Sequence, residues 1–191
     1  MRIVFCGVGA LGSTAAVLCR NLDATLVFID FDRVESKNLL AQAYVKQSVG
    51  KNKAEALKLQ LLNFHGVKAE SFGVRVTADN VATLCKDAQL IVDCFDNVDS
   101  RKLLSDFARA SSTPLLHAAF SGDGTFGLVR WDERFAPDAE DTAGQATCEG
   151  GEHLPLLGLL GGTIARTVQD FVKGGTRRDS MVGLAAVTPT A

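Results

Sequence analysis

The sequence predicts an α/β fold built on a doubly wound, mostly parallel sheet, with helices on both faces and antiparallel strands toward the C-terminus. Short apolar runs of strand length alternate with segments in which apolar residues recur at helical spacing. A strand, a helix and a second strand follow one another within residues 1–30, the pattern of a parallel βαβ unit. Glycine-rich or acidic residues follow several predicted strands, at the edge where such sheets bind ligands. The predicted fold is therefore Rossmann-like.

Each predicted strand is a short apolar run bounded by glycine or polar residues. These runs cover residues 3–6, 25–29, 67–76, 88–95, 114–120 and 125–131. The turn 121–124, with the sequence S-G-D-G, joins the last two, so we expect an antiparallel hairpin there. A final strand is predicted within 182–189. The polar segments 33–49 and 132–151 are predicted to be irregular.

The predicted helices are segments in which apolar residues share one face. They cover residues 10–21, 51–64, 79–85, 100–110 and 156–173. Gly50 precedes the second helix, Asp79 is the expected N-cap of the third, and Gly174 follows the fifth.

Length and composition narrow the classes of protein that fit. The 191 residues predict a single domain over 1–191, and 47% hydrophobic with 22% charged residues excludes a disordered or collagen-like chain. A net charge of −2 argues against a general nucleic-acid binder. The longest apolar stretch, 154–165, falls short of the roughly 20 residues of a membrane span, and no signal peptide precedes the first strand. We expect a soluble, cytoplasmic protein without a membrane partner.

The first predicted strand and helix enclose a glycine loop. Gly7, Gly9 and Gly12 fit the pattern GxGxxG, in which they allow a tight turn, close approach of a phosphate, and close packing of helix on strand. The free N–H groups at the start of the helix would face the anion. Asp30 ends the second strand, where a carboxylate can accept hydrogen bonds from ribose hydroxyls. These residues predict a nucleotide site, and an NAD-dependent oxidoreductase would share them.

Further motifs follow the glycine loop in a fixed order. They are D-F-D-R-V at 30–34, N-L-L-A-Q at 38–42, V-G-K-N-K at 49–53 and D-C-F-D-N-V-D-S-R at 93–101. Their order and spacing over about residues 1–130 resemble the ThiF/MoeB family, which includes the ubiquitin-activating enzymes. The resemblance implies ATP-dependent adenylation of the C-terminal carboxylate of a ubiquitin-like or sulfur-carrier protein ending in Gly-Gly, with release of pyrophosphate. It also implies a homodimer or heterodimer.

The resemblance also implies roles for individual residues. Asp30 would hold the ribose, Lys53 the phosphates, and Asp96 a Mg²⁺ ion or the adenylate, with Lys53 and Asp96 as the catalytic residues. The implied nucleotide-binding set is Gly7, Gly9, Gly12, Asp30, Asp32, Asn38, Gln42, Lys53, Asp96, Asn97 and Arg101. A helix-start lysine and a strand-end carboxylate with a hard cation suit the charge that develops during transfer from a triphosphate. The alternatives without a catalytic role are a solvated helix lysine for Lys53 and a helix cap for Asp96 or Asn97.

One motif position departs from the family pattern. Ala41 stands where N-L-x-R-Q has an arginine, and alanine cannot contact the transferring phosphates. Lys37, Lys46 and Lys51 are possible substitutes, but a lysine lacks the planar fork of arginine. The chain could therefore be a non-catalytic member, or one half of a pair whose partner supplies the arginine. In the last predicted helix, Gly158, Gly161 and Gly162 would let another backbone approach, either within the chain or from a second copy.

The five cysteines form no CxxC pair, so we expect neither a disulfide framework nor a structural zinc site. Cys148 lies in an acidic, glycine-rich segment and is the one candidate for a catalytic thiol, with a bland loop cysteine as the alternative. His65 and His117 have no convincing partners in the sequence. His117, inside a predicted strand, is expected to be a core residue.

Overall fold

One seven-stranded sheet forms the centre of the computed structural model, which describes residues 1–136, 151 and 153–184. Its strands are β1 (Arg2–Cys6), β2 (Thr25–Ile29), β3 (Ala69–Phe72), β4 (Leu90–Asp93), β5 (Leu115–Phe120), β6 (Phe126–Trp131) and β7 (Ser180–Gly183). They lie in the order β3-β2-β1-β4-β5-β6-β7. The first five pair in parallel, and β6 and β7 are antiparallel to their neighbours. The predicted fold class is confirmed.

Helices cover both faces of this sheet because side chains alternate along each buried strand. They are α1 (Ala10–Leu18), α2 (Lys53–His65), α3 (Val81–Leu84), α4 (Val98–Ser111) and α5 (Leu154–Gly174). Ile3 and Phe5 of β1 belong to a core cluster that includes residues of α1, α2 and α5. Val4 and Cys6 face the other way, into a cluster with residues of α3 and α4. No helix in the described part of the chain is long and apolar enough to cross a membrane.

The second and third helices each begin two residues later than predicted, and a capping side chain explains the start of the second. The second helix begins at Lys53 instead of residue 51, because the Asn52 side chain accepts a hydrogen bond from Glu55 N at 3.1 Å. Gly50, with φ of 85°, lies in the turn that precedes it. Asp79 does not cap the third helix. Asn80 is the N-cap there, and its Oδ1 accepts from Thr77 N at 2.8 Å.

Other boundaries shift by a few residues. The third strand is shorter than predicted, and the last begins at Ser180 instead of residue 182; residues 185–189 of its predicted range lie outside the described residues. The segment 33–49, predicted to be irregular, contains two 3₁₀ turns, Ser36–Leu40 and Lys46–Ser48. The last helix begins at Leu154, two residues before its predicted start.

The glycines of α5 differ in what they face. A Cβ on Gly161 would lie 2.6 Å from Thr14 Cγ2, so this glycine lets α5 pack closely on α1. A Cβ on Gly158 or Gly162 would meet nothing within 4 Å among the described residues. The close approach that the sequence predicts at this helix therefore occurs within the chain at Gly161.

Candidate nucleotide site

The glycine loop follows β1, which lies between β2 and β4 in the sheet. It is therefore at the point where the strand order reverses. Gly7 has φ of 80°, and a Cβ there would lie 3.0 Å from the backbone carbonyl of Cys94. A Cβ on Gly12 would lie 2.0 Å from Gly7 O, so only glycine lets α1 start this close to the loop. Gly9 is different, because a Cβ there would meet nothing within 4 Å of the described structure. The open side of the loop is thus at Gly9, beside the first N–H groups of α1.

Asp30 ties the end of β2 to this loop. Its carboxylate is 6% exposed, and its two oxygens accept hydrogen bonds from Val8 N at 2.8 Å and from Asp32 N at 2.9 Å. Burial raises the pKa of Asp30, although the two N–H donors act in the opposite direction. Each oxygen still has a lone pair available, so the carboxylate can also accept from a hydroxyl of a ligand.

Lys53 is the first residue of α2, and its side chain is only 10% exposed. Its Nζ lies 3.1 Å from Asp32 Oδ2, and its backbone N donates to Asp32 O at 2.8 Å. The preceding Asn52 donates from Nδ2 to Asp30 O at 2.8 Å. The end of β2 and the start of α2 are therefore bonded together, which places an ammonium group beside the two carboxylates.

The polar segment after β2 is attached to the glycine loop by a residue that the sequence analysis did not select. Tyr44 is buried, and its hydroxyl donates to Val8 O at 2.6 Å. Next to it, Ala43 N donates to Ser13 Oγ in α1 at 3.0 Å. Burial raises the pKa of Tyr44, so its hydroxyl stays a donor at neutral pH. In the sequence its only distinction is that it is the single tyrosine.

Three more motif positions lie in this segment. Asn38 is buried, and its side-chain oxygen accepts from Glu35 N at 2.9 Å. The side-chain oxygen of Gln42 is buried without a hydrogen-bond partner among the described residues. Ala41 is 6% exposed at the end of the 3₁₀ turn Ser36–Leu40. Of the possible substitutes for the missing arginine, Lys37 is exposed, and Lys51 lines a shallow pocket of about 390 Å³ together with Arg33.

The loop after β4 carries the other predicted site residues. Asp96 is exposed, and Asn97 caps α4 because its side chain accepts from Ser100 N at 2.9 Å. The Arg101 guanidinium, by contrast, is nearly buried: it donates to Phe95 O and, at 2.9 Å, to Ala118 O. The structure thus leaves Asp96 accessible, while Asn97 and Arg101 hold the loop around it.

Beneath this loop is a buried polar cluster that the sequence analysis missed. His117, which showed no partners in the sequence, lies between two carboxylates. Its Nδ1 is 2.7 Å from Asp93 Oδ2, and its Nε2 is 3.1 Å from Asp132 Oδ1. The expectation that His117 is a core residue is confirmed, since the side chain is 1% exposed. The expectation that it lacks partners is wrong.

Helix α4 contributes three members of the same cluster. Arg101 approaches Asp93, with Nη1 3.6 Å from Oδ2, and Ser105 and Arg109 donate to the Asp132 carboxylate. The three are spaced four residues apart, which places them on one face of the helix. A polar stripe at helical spacing was therefore the available signal in the sequence.

The remaining candidate chemistry concerns Cys148 and a metal ion. Cys148, the candidate catalytic thiol, lies outside the described residues. Among residues 1–136, 151 and 153–184, no group of three or more His, Cys, Asp or Glu side chains is arranged to hold a metal ion. A divalent cation at this site would have to bind through few protein ligands, as Mg²⁺ commonly does together with phosphates and water.

Comparison with known proteins identifies relatives of this chain. It is 35% identical over 133 residues to the sulfur carrier protein ThiS adenylyltransferase of Bacillus subtilis, covering 67% of this chain and 39% of that protein. It is 28% identical over 171 residues to the adenylyltransferase and sulfurtransferase MOCS3 of Caenorhabditis briggsae, covering 83% of this chain and 42% of that protein. The chain therefore spans about two fifths of the length of these relatives.

Solved structures share the fold at lower identity. The crystal structure of PaaA superposes with a TM-score of 0.75 at 20% identity, covering 96% of this chain and 60% of that one. Escherichia coli MccB in complex with ATP superposes with a TM-score of 0.73 at 17% identity, covering 92% of this chain and 57% of that one. The ThiF family model matches residues 1–174, which include every described element from β1 to α5. This chain belongs to the ThiF family.

Proposed function

We propose that this chain adenylates the C-terminal carboxylate of a ubiquitin-like or sulfur-carrier protein that ends in Gly-Gly, using ATP and releasing pyrophosphate. The observation that carries the proposal is the convergence of three groups at the carboxyl edge of β1, β2 and β4. These are the glycine loop with its open side at Gly9, the ammonium group of Lys53 beside Asp32, and the exposed carboxylate of Asp96. They come from distant parts of the sequence and follow strand ends at the edge of the sheet where doubly wound folds bind nucleotides.

The groups at this edge of the sheet have separate roles in the proposed adenylation. A carboxylate oxygen of the carrier attacks the α-phosphorus of ATP, the bond from that phosphorus to the pyrophosphate oxygen breaks, and an acyl-adenylate forms. Asp30 accepts from the ribose, and the N–H groups at the start of α1 face the phosphates. Lys53 is nearly buried, so its charge acts in a poorly solvated site, where it stabilises developing negative charge more than it would in water.

Mg²⁺ fits this arrangement through Asp96. The side chain is exposed in the loop after β4, and an ionised carboxylate is the ligand type that Mg²⁺ prefers. Phosphate oxygens and water would complete the coordination, since Mg²⁺ usually binds through one or two carboxylates and the phosphates of its nucleotide. When bound, the ion would neutralise charge on the phosphates.

The relatives support this reaction class over the NAD-dependent alternative. The Bacillus subtilis protein is named as an adenylyltransferase of the sulfur carrier ThiS, and a Haloferax volcanii relative, 33% identical over 130 residues, is named as a SAMP-activating enzyme. Both names describe activation of a small carrier protein. A carrier that ends in Gly-Gly, a dimer and a cytoplasmic location stay predictions for this chain.

Ala41 favours a second candidate function, that of a subunit whose partner completes the site. Alanine at this motif position provides no positive charge, and an arginine that stabilises a transferring phosphoryl group contributes on the order of 10³-fold to the rate. A partner chain that inserts an arginine would restore that contribution. The two candidates differ in whether the purified chain forms an acyl-adenylate by itself.

Calorimetry with ATP and Mg²⁺ is the direct test of the nucleotide site. We expect ATP to bind the wild-type protein, and Lys53→Met to weaken binding about tenfold or more, because an ammonium–phosphate contact is lost. Lys58→Met, on the same helix, is the matched control and should bind like wild type. Absence of ATP binding by the wild-type chain would contradict the proposal.

Exchange of labelled pyrophosphate into ATP then tests the chemistry. The probe is a purified sulfur-carrier protein that ends in Gly-Gly, with a variant lacking the two glycines as its control. Carrier-dependent exchange supports adenylation by this chain alone. ATP binding without any exchange would instead support the partner-dependent candidate.

A further inference from the structure

We propose that His117 is a positioning residue that holds the loop of residues 93–97, and with it Asp96, in the geometry that binds metal-bound ATP. The second half of this proposal rests on the proposed function. His117 lies on β5, is hydrogen-bonded to Asp93 and acts through that residue. The β4–β5 register pairs Asp93 directly with His117, which places both side chains on the same face of the sheet.

The cluster around His117 is too buried to be a solvated surface network. Asp93 and His117 are 0% and 1% exposed, and Phe135 stacks on the imidazole with ring centroids 3.8 Å apart and planes 14° from parallel. Removing one partner from a buried, bonded charge pair is costly because the other charge is left unpaired. A cluster of this kind therefore holds its members in one arrangement.

The hydrogen bonds of the Asp132 carboxylate orient the imidazole ring. Burial opposes ionisation of Asp132, but donors from Arg109, Ser105 and His117 outweigh it and lower the pKa of this carboxyl. An ionised carboxylate only accepts, so the ring nitrogen facing Asp132 donates. The other ring nitrogen lies 2.7 Å from Asp93 Oδ2, so the ring bridges the two carboxylates.

The contact chain from His117 to Asp96 is short. Asp93 bonds His117 with one oxygen, and with the other it accepts from Phe95 N at 2.9 Å. Arg101 donates to Phe95 O and to Ala118 O, next to His117. Both the N–H and the carbonyl of Phe95, the residue before Asp96, are therefore held by this cluster.

The loop of residues 93–97 also contacts the glycine loop. A Cβ on Gly7 would meet the backbone of Cys94 and the ring of Phe95 at 3.0 Å, so the two loops lie in direct contact. A shift of residues 93–97 would move Asp96 relative to the phosphate-binding side of the glycine loop. Partners that orient a metal ligand from behind typically change metal affinity or activity by about 10–100-fold when they are removed.

The first test is hydrogen exchange in the nucleotide-free protein. We expect His117→Gln, which cannot donate to both carboxylates, to speed exchange of the Phe95 amide at least tenfold relative to the wild type. His65→Gln, an exposed histidine at the end of α2, is the matched control and should leave that amide unchanged. An unchanged Phe95 amide in His117→Gln would overturn the proposal.

The second test measures ATP binding with and without Mg²⁺. If His117 acts through Asp96, His117→Gln weakens Mg²⁺-dependent ATP binding about tenfold and metal-free binding less than about twofold. Combined with Asp96→Asn, it should add little further loss, since residues that act through one another are not additive. Equal losses with and without metal, or additive losses in the double variant, would show a merely structural role.

A replacement variant and a readout that does not need ATP distinguish a failure to fold, or a failure of the proposed function, from a failure of this proposal. If His117→Gln fails to fold, Phe135→Leu replaces it, because that substitution removes only the stacked ring and leaves every hydrogen bond of the cluster in place. It should show the same pattern at smaller amplitude. If the wild-type chain binds no ATP, the proposed function fails, and the Phe95 amide alone decides whether His117 positions the loop.

Discussion

Gly12 lies so close to Gly7 that a Cβ on Gly12 would be 2.0 Å from the Gly7 carbonyl oxygen. No side chain fits at that distance, so the start of α1 and the turn after β1 can form together only with glycine at position 12. Gly9, between them, faces open space instead. Two glycines of one motif thus have different tasks, one in packing and one in leaving room for a ligand.

This difference predicts different effects of the same substitution. Gly12→Ala should lower the free energy of unfolding by about 3 kcal/mol or prevent folding, because the new methyl group overlaps backbone atoms. Gly9→Ala should cost far less stability but weaken ATP binding, because its methyl group projects where a phosphate would approach. Urea unfolding and calorimetry on both variants measure the two effects. Equal stability losses at the two positions would contradict this assignment.

Tyr44→Phe tests the bond between the polar segment and the glycine loop. Loss of the hydroxyl that donates to Val8 O should lower the free energy of unfolding by about 1 kcal/mol and weaken ATP binding severalfold. Ser111→Ala is a suitable control, because it removes a hydroxyl bonded to a backbone carbonyl at the exposed end of α4. Unfolding in urea gives the first quantity and calorimetry the second. If both variants lose the same stability and neither loses ATP affinity, Tyr44 has no role in the loop.

The lowered pKa of Asp132 predicts that the free energy of unfolding depends on pH. Because donors hold its pKa below the unfolded value of about 3.9, Asp132 stabilises the fold above that pH, and this contribution disappears as pH falls through the native pKa. The difference in unfolding free energy between wild type and Asp132→Asn should therefore be largest near pH 6–7 and shrink toward pH 3. Asp106→Asn, an exposed carboxylate on α4, should show no comparable convergence. A difference that is constant over this pH range would contradict the assignment.

Ala41→Arg tests whether the missing arginine limits the reaction. In the proposed site, an arginine here should raise carrier-dependent pyrophosphate exchange by about tenfold or more, because its charge would face the transferring phosphates. Ala41 is nearly buried, so Ala41→Met is needed to separate added bulk from added charge. If both variants are equally slow and equally stable, position 41 does not face the phosphates in this chain.

The parts of the site that could be predicted from the sequence depend on local rules. GxGxxG after an apolar run requires a strand, a tight turn and a helix, and Asn97 ahead of an amphipathic segment is a helix cap; both are present. The misplaced starts of α2 and α3 show the limit of this reasoning. The sequence favours glycine and aspartate at those starts, whereas asparagine is the N-cap residue of both helices in the folded chain.

By itself, the sequence determined the order of strands and helices, the mostly parallel sheet and the residues that gather at its carboxyl edge, because periodicity, glycine turns and strand ends are properties of neighbouring residues. Only the tertiary structure decided the partners of His117. Asp93 and Asp132 are 24 and 15 residues away along the chain, and they reach the ring only when β4 and β6 pair in register on either side of β5. The same holds for Tyr44, which is 36 residues from Val8. Contacts between distant residues depend on how whole elements pack, and no local pattern encodes that packing.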